Sequence, residues 1–462
     1  EGKFYTKVCP APVTPKFLIK EDGLGRKMEK DAHFSKHSHN FISGWLIAQT
    51  LGFWSAFKLF LNIFKPSMGP MVSHSFKHMD SNSTLSIDHN FEFETELQVG
   101  FKLEEMVDRV ENVLKSIGLV KNFAPLVYVV GHGSSSINNP HYAAYDCGAC
   151  SGRAGSVNSR VFSYMANKSE VRNELSKKGI LIPDNTRFIG GLRDTTRDEI
   201  MFYDEESLSE SQKVLHKTNL RKFSAASKSN SKERSRRFES INTRSSAEDV
   251  HNRILERSVS LFEPRPELNH ATNALCIVGK RSLTKGLFLD RRSFLNSYNA
   301  SIDPVGKRLL GILNAAVPVC GGINLEYYFS RVDNQKLGAG TKLPHNVMGL
   351  FGVANGIDGD LRPGLPNQMI EVHDPIRLLM VIEQSASVVL DVIQQNKATY
   401  EWIKNGWVKM ATIDPITSVI SVFEKGQMVS YNPPNSIMNS VDNLNQAFEG
   451  SMDNLRIFKY KI

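Results

Sequence analysis

The apolar run PLVYVV, Pro125 to Val130, passes without a polar break into the loop GHGSSS, Gly131 to Ser136. β-Branched and aromatic residues packed this densely form a strand buried on both faces. Upstream, the stretch from Glu94 to Ser116 places Leu97, Phe101, Met106, Val110 and Leu114 at roughly helical spacing, and Gly118 stops it. An amphipathic helix leading into a doubly buried strand requires helices over a sheet, which is the α/β class. The pattern repeats. Ser156 to Gly179 reads as helix, Thr186 to Tyr203 holds strand candidates, and Asn273–Lys280 and Ile376–Glu383 are two more buried-strand candidates. The expectation is a mainly parallel sheet flanked by helices.

A chain of 462 residues can bury a large core. Its five cysteines, Cys9, Cys147, Cys150, Cys276 and Cys320, are odd in number and follow no secretory signal, which argues against a disulfide framework and for metal binding or no chemistry. The net charge of +8 is dilute over this length and favours an anionic partner, such as a membrane surface, without requiring one. The chain opens on Glu1, and EGKFYTKVCPAPVTPKF reads as sequence from within a domain, so a piece of a longer protein is expected.

Two segments test other classes. Phe41 to Phe64 is apolar, but its uncharged part ends at Phe57, short of the roughly 20 residues of a spanning helix, and Lys58 interrupts the rest. It is expected to be a buried or partner-facing helix, ahead of a helix lying on a membrane and of a true span. Ser207 to Arg257 is polar, Ser-rich and basic, with only Phe223 and Phe238 interleaved; a solvated helical connector fits it better than a nucleic-acid patch. The organisation expected is a helical region over 1–120, an α/β core segment over 121–205, a basic helical connector over 206–262 and a further α/β part of the same core over 263–462.

In an open α/β sheet ligands collect at the carboxyl ends of the strands, which is where Gly131, His132 and Gly133 lie. Cys147 and Cys150 form a C-x-x-C shortly afterwards, so His132, His141, Cys147 and Cys150 are candidate zinc ligands. A redox C-x-x-C is disfavoured because Asp146 precedes Cys147 and opposes a thiolate. No G-x-x-x-x-G-K-[ST], G-x-S-x-G or H-E-x-x-H occurs, which leaves a phosphate loop without its lysine and a serine hydrolase, using Ser134 to Ser136, without its elbow. His345 and His373 read as core or loop residues, Cys276 and Cys320 as small buried hydrophobes, and Cys9 has no evident ligand role.

The segment GHGSSSINNPHYAAYDCGACSG, Gly131 to Gly152, closely resembles a block of the DabA family, the large subunit of bacterial energy-coupled inorganic-carbon pumps. RRSFLNSY (Arg291 to Tyr298), INLEYYFSRVDN (Ile323 to Asn334), GAGTKLPHNVMG (Gly338 to Gly349) and GDLRPGLPNQ (Gly359 to Gln368) resemble later family blocks in the same order, and VCPAPVTPK (Val8 to Lys16) an early one.

The resemblance implies a core similar to β-carbonic anhydrases, with helical insertions. It implies zinc held by a Cys, an Asp, a His and a second Cys, the last two falling on His132 and Cys147. The first two belong to a C-x-D-x-R-S-E segment, and no C-x-D-x-R occurs in this chain, so the site is expected to be incomplete here. The family pattern also carries a histidine near Arg193, where this chain reads GGLRDTTRDE. By chemistry rather than by family, Asp146, Gly133, Ser134 and Ser135 are candidates for orienting an anion or supporting the ligands.

The function implied is zinc-dependent hydration of CO2 to bicarbonate, coupled to a membrane ion-conducting subunit resembling the antiporter-like subunits of respiratory complex I. The location implied is peripheral, on the cytoplasmic face of the inner membrane, with no nucleic-acid partner. The alternative is a zinc-stabilised scaffold or binding subunit without turnover.

Overall fold

KFYTKV and KFLIKE pair as an antiparallel hairpin, β1 (Lys3–Val8) with β2 (Lys16–Glu21), and β3 (Thr84–Ser86) adds to β2. The computed structural model describes residues 3–8, 16–21, 33, 36, 40–64, 84–91, 93–94, 97–135, 154–260, 263, 265–268, 270–338, 346–347, 353–354, 361–362, 370–434, 437–444, 447 and 450–460. They fall into two units, Glu1–Lys232 with Ser246–Glu267, and Glu233–Ser245 with Leu268–Ile462.

In the first unit, helix α1 (Phe41–Phe64) forms as the sequence predicts, but its aromatic residues are not buried: Phe41 is 91%, Phe53 84% and Phe64 67% exposed. Helix α2 (Leu103–Ser116) begins later than the apolar spacing suggests. Gly100 sits at φ +72°, where a Cβ would lie 2.4 Å from the Asp88 carbonyl oxygen, so the chain turns there and the residues before it pair as short strands. The Glu105 carboxylate then accepts the Lys102 N–H at 2.9 Å and starts the helix. Met106, Val107, Val110 and Leu114 are its buried face.

β4 (Leu126–Gly133) follows. Helices α3 (Ser156–Asn167) and α4 (Ser169–Lys177) carry the chain back to β5 (Arg187–Asp194), which lies parallel to β4, and β6 (Glu199–Phe202) returns antiparallel beside β5. Val107, Val110, Leu114, Val161, Met165, Val171, Leu175, Phe188 and Leu192 make the core under this sheet. Each such aliphatic or aromatic side chain contributes about 1.5–3 kcal/mol on burial. β5 is buried on both faces; β4 is the edge strand among the described residues and only half-buried, with Val130 41% exposed.

The basic stretch forms α5 (Glu210–Ser235) and α6 (Ala247–Ser258), the latter capped by the Ser246 hydroxyl on the Asp249 N–H at 3.1 Å. It is helical as expected but not solvated throughout: Arg234, Arg236 and Arg237 are buried. In the second unit Arg236 and Arg237 pair with the buried Asp290, and their guanidinium groups also donate to the carbonyls of Asp453 and Met452. Buried guanidinium groups persist only where such carboxylate and carbonyl partners replace water.

The second unit holds a sheet in the order β8 (Ser293–Ser297), β7 (Leu275–Gly279), β9 (Leu379–Ile382), β10 (Lys409–Ile413), β11 (Ile420–Glu424) and β12 (Gln427–Ser430). The first four are parallel and the last two antiparallel. Helix α7 (Lys307–Val332) covers it, with α8 (Ala386–Gln394) and α9 (Lys397–Lys404) between β9 and β10. Among the described residues α7 is the helix long and apolar enough to cross a membrane by length and composition, yet Leu309, Leu313, Val317 and Cys320 pack it into a core with Cys276, Val278, Met380 and Met410.

The architecture is thus mixed α/β with several sheets. The parallel order expected from the buried runs holds for β4–β5 and for β8–β7–β9–β10. The hairpins after Asp194 and Asp414 then reverse the chain, so neither sheet is parallel throughout.

Candidate functional site

β4 carries His132 to the carboxyl end of the sheet, opposite Arg193 in the parallel register. Gly131 has to be glycine: a Cβ there would stand 2.3 Å from the Gly155 carbonyl oxygen, because the chain returns against the strand at that point. The Gly155 N–H donates to the His132 carbonyl at 2.7 Å. The loop that leaves at Gly133–Ser135 therefore comes back beside the residue it left.

His132 is exposed, and its Nε2 lies 3.0 Å from the Thr195 hydroxyl, which is itself 3.3 Å from the Gly133 carbonyl. A hydroxyl that donates to Gly133 accepts from Nε2–H, which assigns the tautomer and leaves Nδ1 with no hydrogen-bond partner among the described residues. Burial of the surrounding protein pushes the imidazole below its ordinary pKa; Glu267 opposes this and Arg193 adds to it. A neutral imidazole fixed through its other nitrogen is the form that binds a metal.

The Asp194 carboxylate lies beneath this end, 7% exposed. Its Oδ1 accepts the N–H groups of Thr196 (2.9 Å), Arg197 (3.2 Å) and Ser135 (3.3 Å), and its Oδ2 accepts the Ser135 hydroxyl in a short contact. Burial raises it to about 6 against the opposing effect of the Ser135 hydrogen bonds. The Ser134 hydroxyl lies 2.9 Å from the Thr196 hydroxyl. Both serines are fully buried, and the Ser135 hydroxyl is taken up by the Asp194 carboxylate.

On the other side of β5 is a cleft of about 730 Å3, lined by Asp194, Arg197, Asp198, Glu199, Phe202 and His251 among others. Arg193 reaches Asp198 at 3.2 Å, and the buried Asp198 carboxylate accepts Asn230 at 2.6 Å and the Ser231 hydroxyl at 2.8 Å. The Ser231 hydroxyl is 2.9 Å from His251 Nδ1. Arg193 and Asp198 both lie in the segment GGLRDTTRDE, Gly190 to Glu199. Asn230, Ser231 and His251 come from helices read as a connector, and no local spacing announces them.

The structure thus brings together His132, Gly133, Ser134 and Ser135 with Thr195 and Asp194. Cys147, Asp146, His141, Cys150 and Ser136 lie outside the described residues, as do Cys9 and His345. Among the described residues no group of three or more His, Cys, Asp or Glu is placed to hold a metal ion. His132 offers one imidazole donor at this strand end, and the described residues do not make up a metal coordination sphere around it. His373 is a buried core residue tilted against the Tyr327 ring at 5.2 Å, with burial lowering it to about 4. Cys276 and Cys320 are free and buried.

Residues 1–408 match the sequence model of a family described as "Probable inorganic carbon transporter subunit DabA". A protein of that description from Azotobacter vinelandii is 58% identical over 99% of this chain and 54% of its own length. Those of Nitrosospira multiformis and Sorangium cellulosum are 53% and 42% identical, over 97% and 93% of this chain and 50% and 44% of theirs. The chain spans about half the length of these relatives. No solved structure matches it. With the family matched over most of its length, this chain belongs to the DabA family of probable inorganic carbon transporter subunits.

Proposed function

We propose that this chain supplies half of a zinc site, His132 and Cys147, to a subunit that hydrates CO2 to bicarbonate for transport. The observation that carries this reading is the closed base of the loop: residues 136–153, with Cys147 among them, leave from Ser135 and return at Gly155, whose N–H is bonded to His132. Zinc, when bound, would lower the pKa of a coordinated water to about 7 and make a nucleophile available near neutral pH.

The chain's own residues would do the rest. The Thr195 hydroxyl holds the His132 ring, the Asp194–Ser135 contact holds the loop entrance, and Arg193 keeps positive charge beside an anionic product. The remaining ligands, a Cys and an Asp in a C-x-D-x-R segment, would come from outside this chain. β4 is the sheet's edge among the described residues, which leaves room for another strand, as a β-carbonic-anhydrase-like core would require.

For a peripheral subunit on the cytoplasmic face of a membrane, the partner would be an ion-conducting membrane protein. Helix α1 is suited to meet it, because Trp45, Phe53, Trp54 and Phe60 all stand exposed on a helix with no acidic residue. An unsatisfied apolar surface of this kind marks a protein or membrane contact.

The test uses the full-length protein with its membrane partner. Zinc content, CO2 hydration followed by isotope exchange, and growth at ambient CO2 should all be lost in His132→Ala and Cys147→Ala. A wild-type complex that binds zinc but shows neither hydration nor uptake, with growth unchanged in Cys147→Ala, would leave the zinc-stabilised scaffold as the reading.

A further inference from the structure

The amino end of β5 gathers positive charge that no carboxylate neutralises. Between α3 and α4 the Asn167 side chain pairs with the strand, donating to the Phe188 carbonyl at 2.8 Å and accepting the Phe188 N–H at 3.0 Å. That clasp sets the first turn of α4 against the start of β5. Arg172 in this turn is held by neutral groups. Its Nε donates to the Ala166 carbonyl at 2.9 Å, Nη2 to the Thr186 carbonyl at 2.7 Å and the Asn167 oxygen at 3.1 Å, and Nη1 to the Pro183 carbonyl at 3.2 Å. All four acceptors are uncharged, so the guanidinium is fixed in place with its charge intact.

Arg187, the first residue of β5, adds a second such charge. Its Nε is buried with no hydrogen-bond partner, and no ion pair engages its side chain, among the described residues. The carboxylate that attracts it, Asp204, is already held through both oxygens by Arg160, at 2.9 and 2.6 Å. Asp184 and Glu170 are exposed, Glu170 accepts the Ser169 hydroxyl at 3.2 Å, and Lys168 is paired with Asp88 at 2.7 Å. Burial pushes both guanidinium groups below their ordinary pKa, and the charge of Arg187 adds to this at Arg172.

Arg187 lines two adjoining pockets of about 380 and 330 Å3. Arg172 lines the first, and Tyr164, Phe188 and Tyr203 wall the second. Ser163 lies on that second wall, 4% exposed, its hydroxyl without a hydrogen-bond partner among the described residues. Helix α4 starts here with no side chain capping its first amides. Two partly desolvated guanidinium groups without a counter-ion repel each other, and a bound dianion offsets both the repulsion and the lost hydration. Guanidinium forks and helix-start amides only donate, which suits the several acceptor oxygens of a phosphate.

We propose that Arg172, Arg187 and the start of α4 form a binding site for a phosphate group, with the second pocket, beside Tyr164, Phe188 and Tyr203, open to the organic part of a phosphate monoester. Bicarbonate, with a single charge, matches the pair less well. Arg187 and Asp194 stand at opposite ends of β5, roughly 23 Å apart along the strand. The site is therefore separate from His132 and does not rest on the zinc reading.

The test is titration calorimetry on the full-length protein in about 0.15 M chloride, which screens loose attraction. Inorganic phosphate and phenyl phosphate are the probes, with bicarbonate as the comparison. Arg187 is the residue to change, because no hydrogen bond among the described residues depends on its side chain. Arg187→Gln should weaken phosphate binding by about 10- to 100-fold, the loss of a hydrogen bond to a charged group. Arg187→Lys should fall between, and Ser163→Ala should weaken binding of phenyl phosphate less than Arg187→Gln does. In phosphate-free buffer Arg187→Gln should melt no lower than wild type, while added phosphate raises the melting temperature of wild type alone. Tighter binding of phenyl phosphate than of inorganic phosphate assigns a monoester as the ligand; equal or weaker binding assigns the free ion. No phosphate binding by wild type, equal affinity in wild type and Arg187→Gln, or tighter binding of bicarbonate than of phosphate overturns the proposal.

Discussion

The carboxyl end of β4 and the carboxyl end of β9 each close a strand of a parallel pair and finish as opposites. At β9 every group is turned inward. Glu383 accepts the Lys280 N–H at 2.7 Å, and the Gln384 amide donates to the Tyr298 hydroxyl at 3.1 Å and to the Asp303 carbonyl at 3.0 Å. Tyr298 in turn donates to Asp303 at 3.0 Å, and Asp303 receives the first N–H groups of α7. At β4 the strand end carries an exposed histidine with an unengaged nitrogen among the described residues, above a buried carboxylate. The short connection from β9 to α8 leaves no chain to cover anything but itself, so its polar groups saturate one another.

The comparison can be broken most directly at the two strand ends. His132→Ala in the full-length protein should reduce zinc retention more than about 100-fold, beyond the loss expected for a supporting contact, whereas Glu383→Ala should leave zinc content unchanged. Equal losses would put a metal role at both ends.

Next in size is the plug itself. Gln384→Ala leaves the Ser385 N–H and the Tyr298 hydroxyl short of a buried partner. That should destabilise by about 1–3 kcal/mol, read as a lowered urea midpoint, while zinc retention stays at the wild-type level. A wild-type midpoint would mean the network is replaceable by water.

The aspartates should then respond oppositely to pH. Asp194 is raised to about 6 by burial, so between about 4 and 6 the native state holds a proton that the unfolded chain has released, and stability falls as pH rises through that window. Asp414 is lowered by the Thr417 and Ile416 amides, so its contribution is present above the ordinary carboxylate range and is lost as pH falls below it. Asp194→Asn should flatten the urea midpoint between pH 4 and 6, and Asp414→Asn should leave that window as it is. A further carboxyl, Glu326 on α7, is raised by burial to about 8, and Glu326→Gln should lift the melting temperature at pH 8 by a few degrees. The smallest effect belongs to Arg193, which pairs with Ile200 across the hairpin. Its side chain is 39% exposed over Asp198, so Arg193→Ile should cost no more than about 1 kcal/mol.

The fold was legible where a run of apolar residues is its own signal. PLVYVV, NALCIVGK and IRLLMVIE all became parallel strands, and Ser156 to Gly179 became the two helices of the crossover. It was less legible where pairing partners lie far apart. Nothing in SKERSRRFES shows that Arg236 and Arg237 will meet Asp290 and the backbone at 452 and 453, because charge patterning reports solvation only until a distant carboxylate arrives. At the site, His132 was found from its strand end. Asp194 as an anchor was not, since a D-T-T turn looks the same whether its second oxygen faces water or Ser135.

The division of the chain into units also sets an order of events during synthesis. The first unit is not complete until Glu267 has been made, yet residues 233–245, which belong to the second, emerge before it. Arg236 and Arg237 must then wait more than two hundred residues for the carbonyls at Asp453 and Met452. Translation at roughly 5–20 residues per second makes that wait on the order of ten seconds or more. Until then the two guanidinium groups lack the backbone partners that replace water around them in the finished fold.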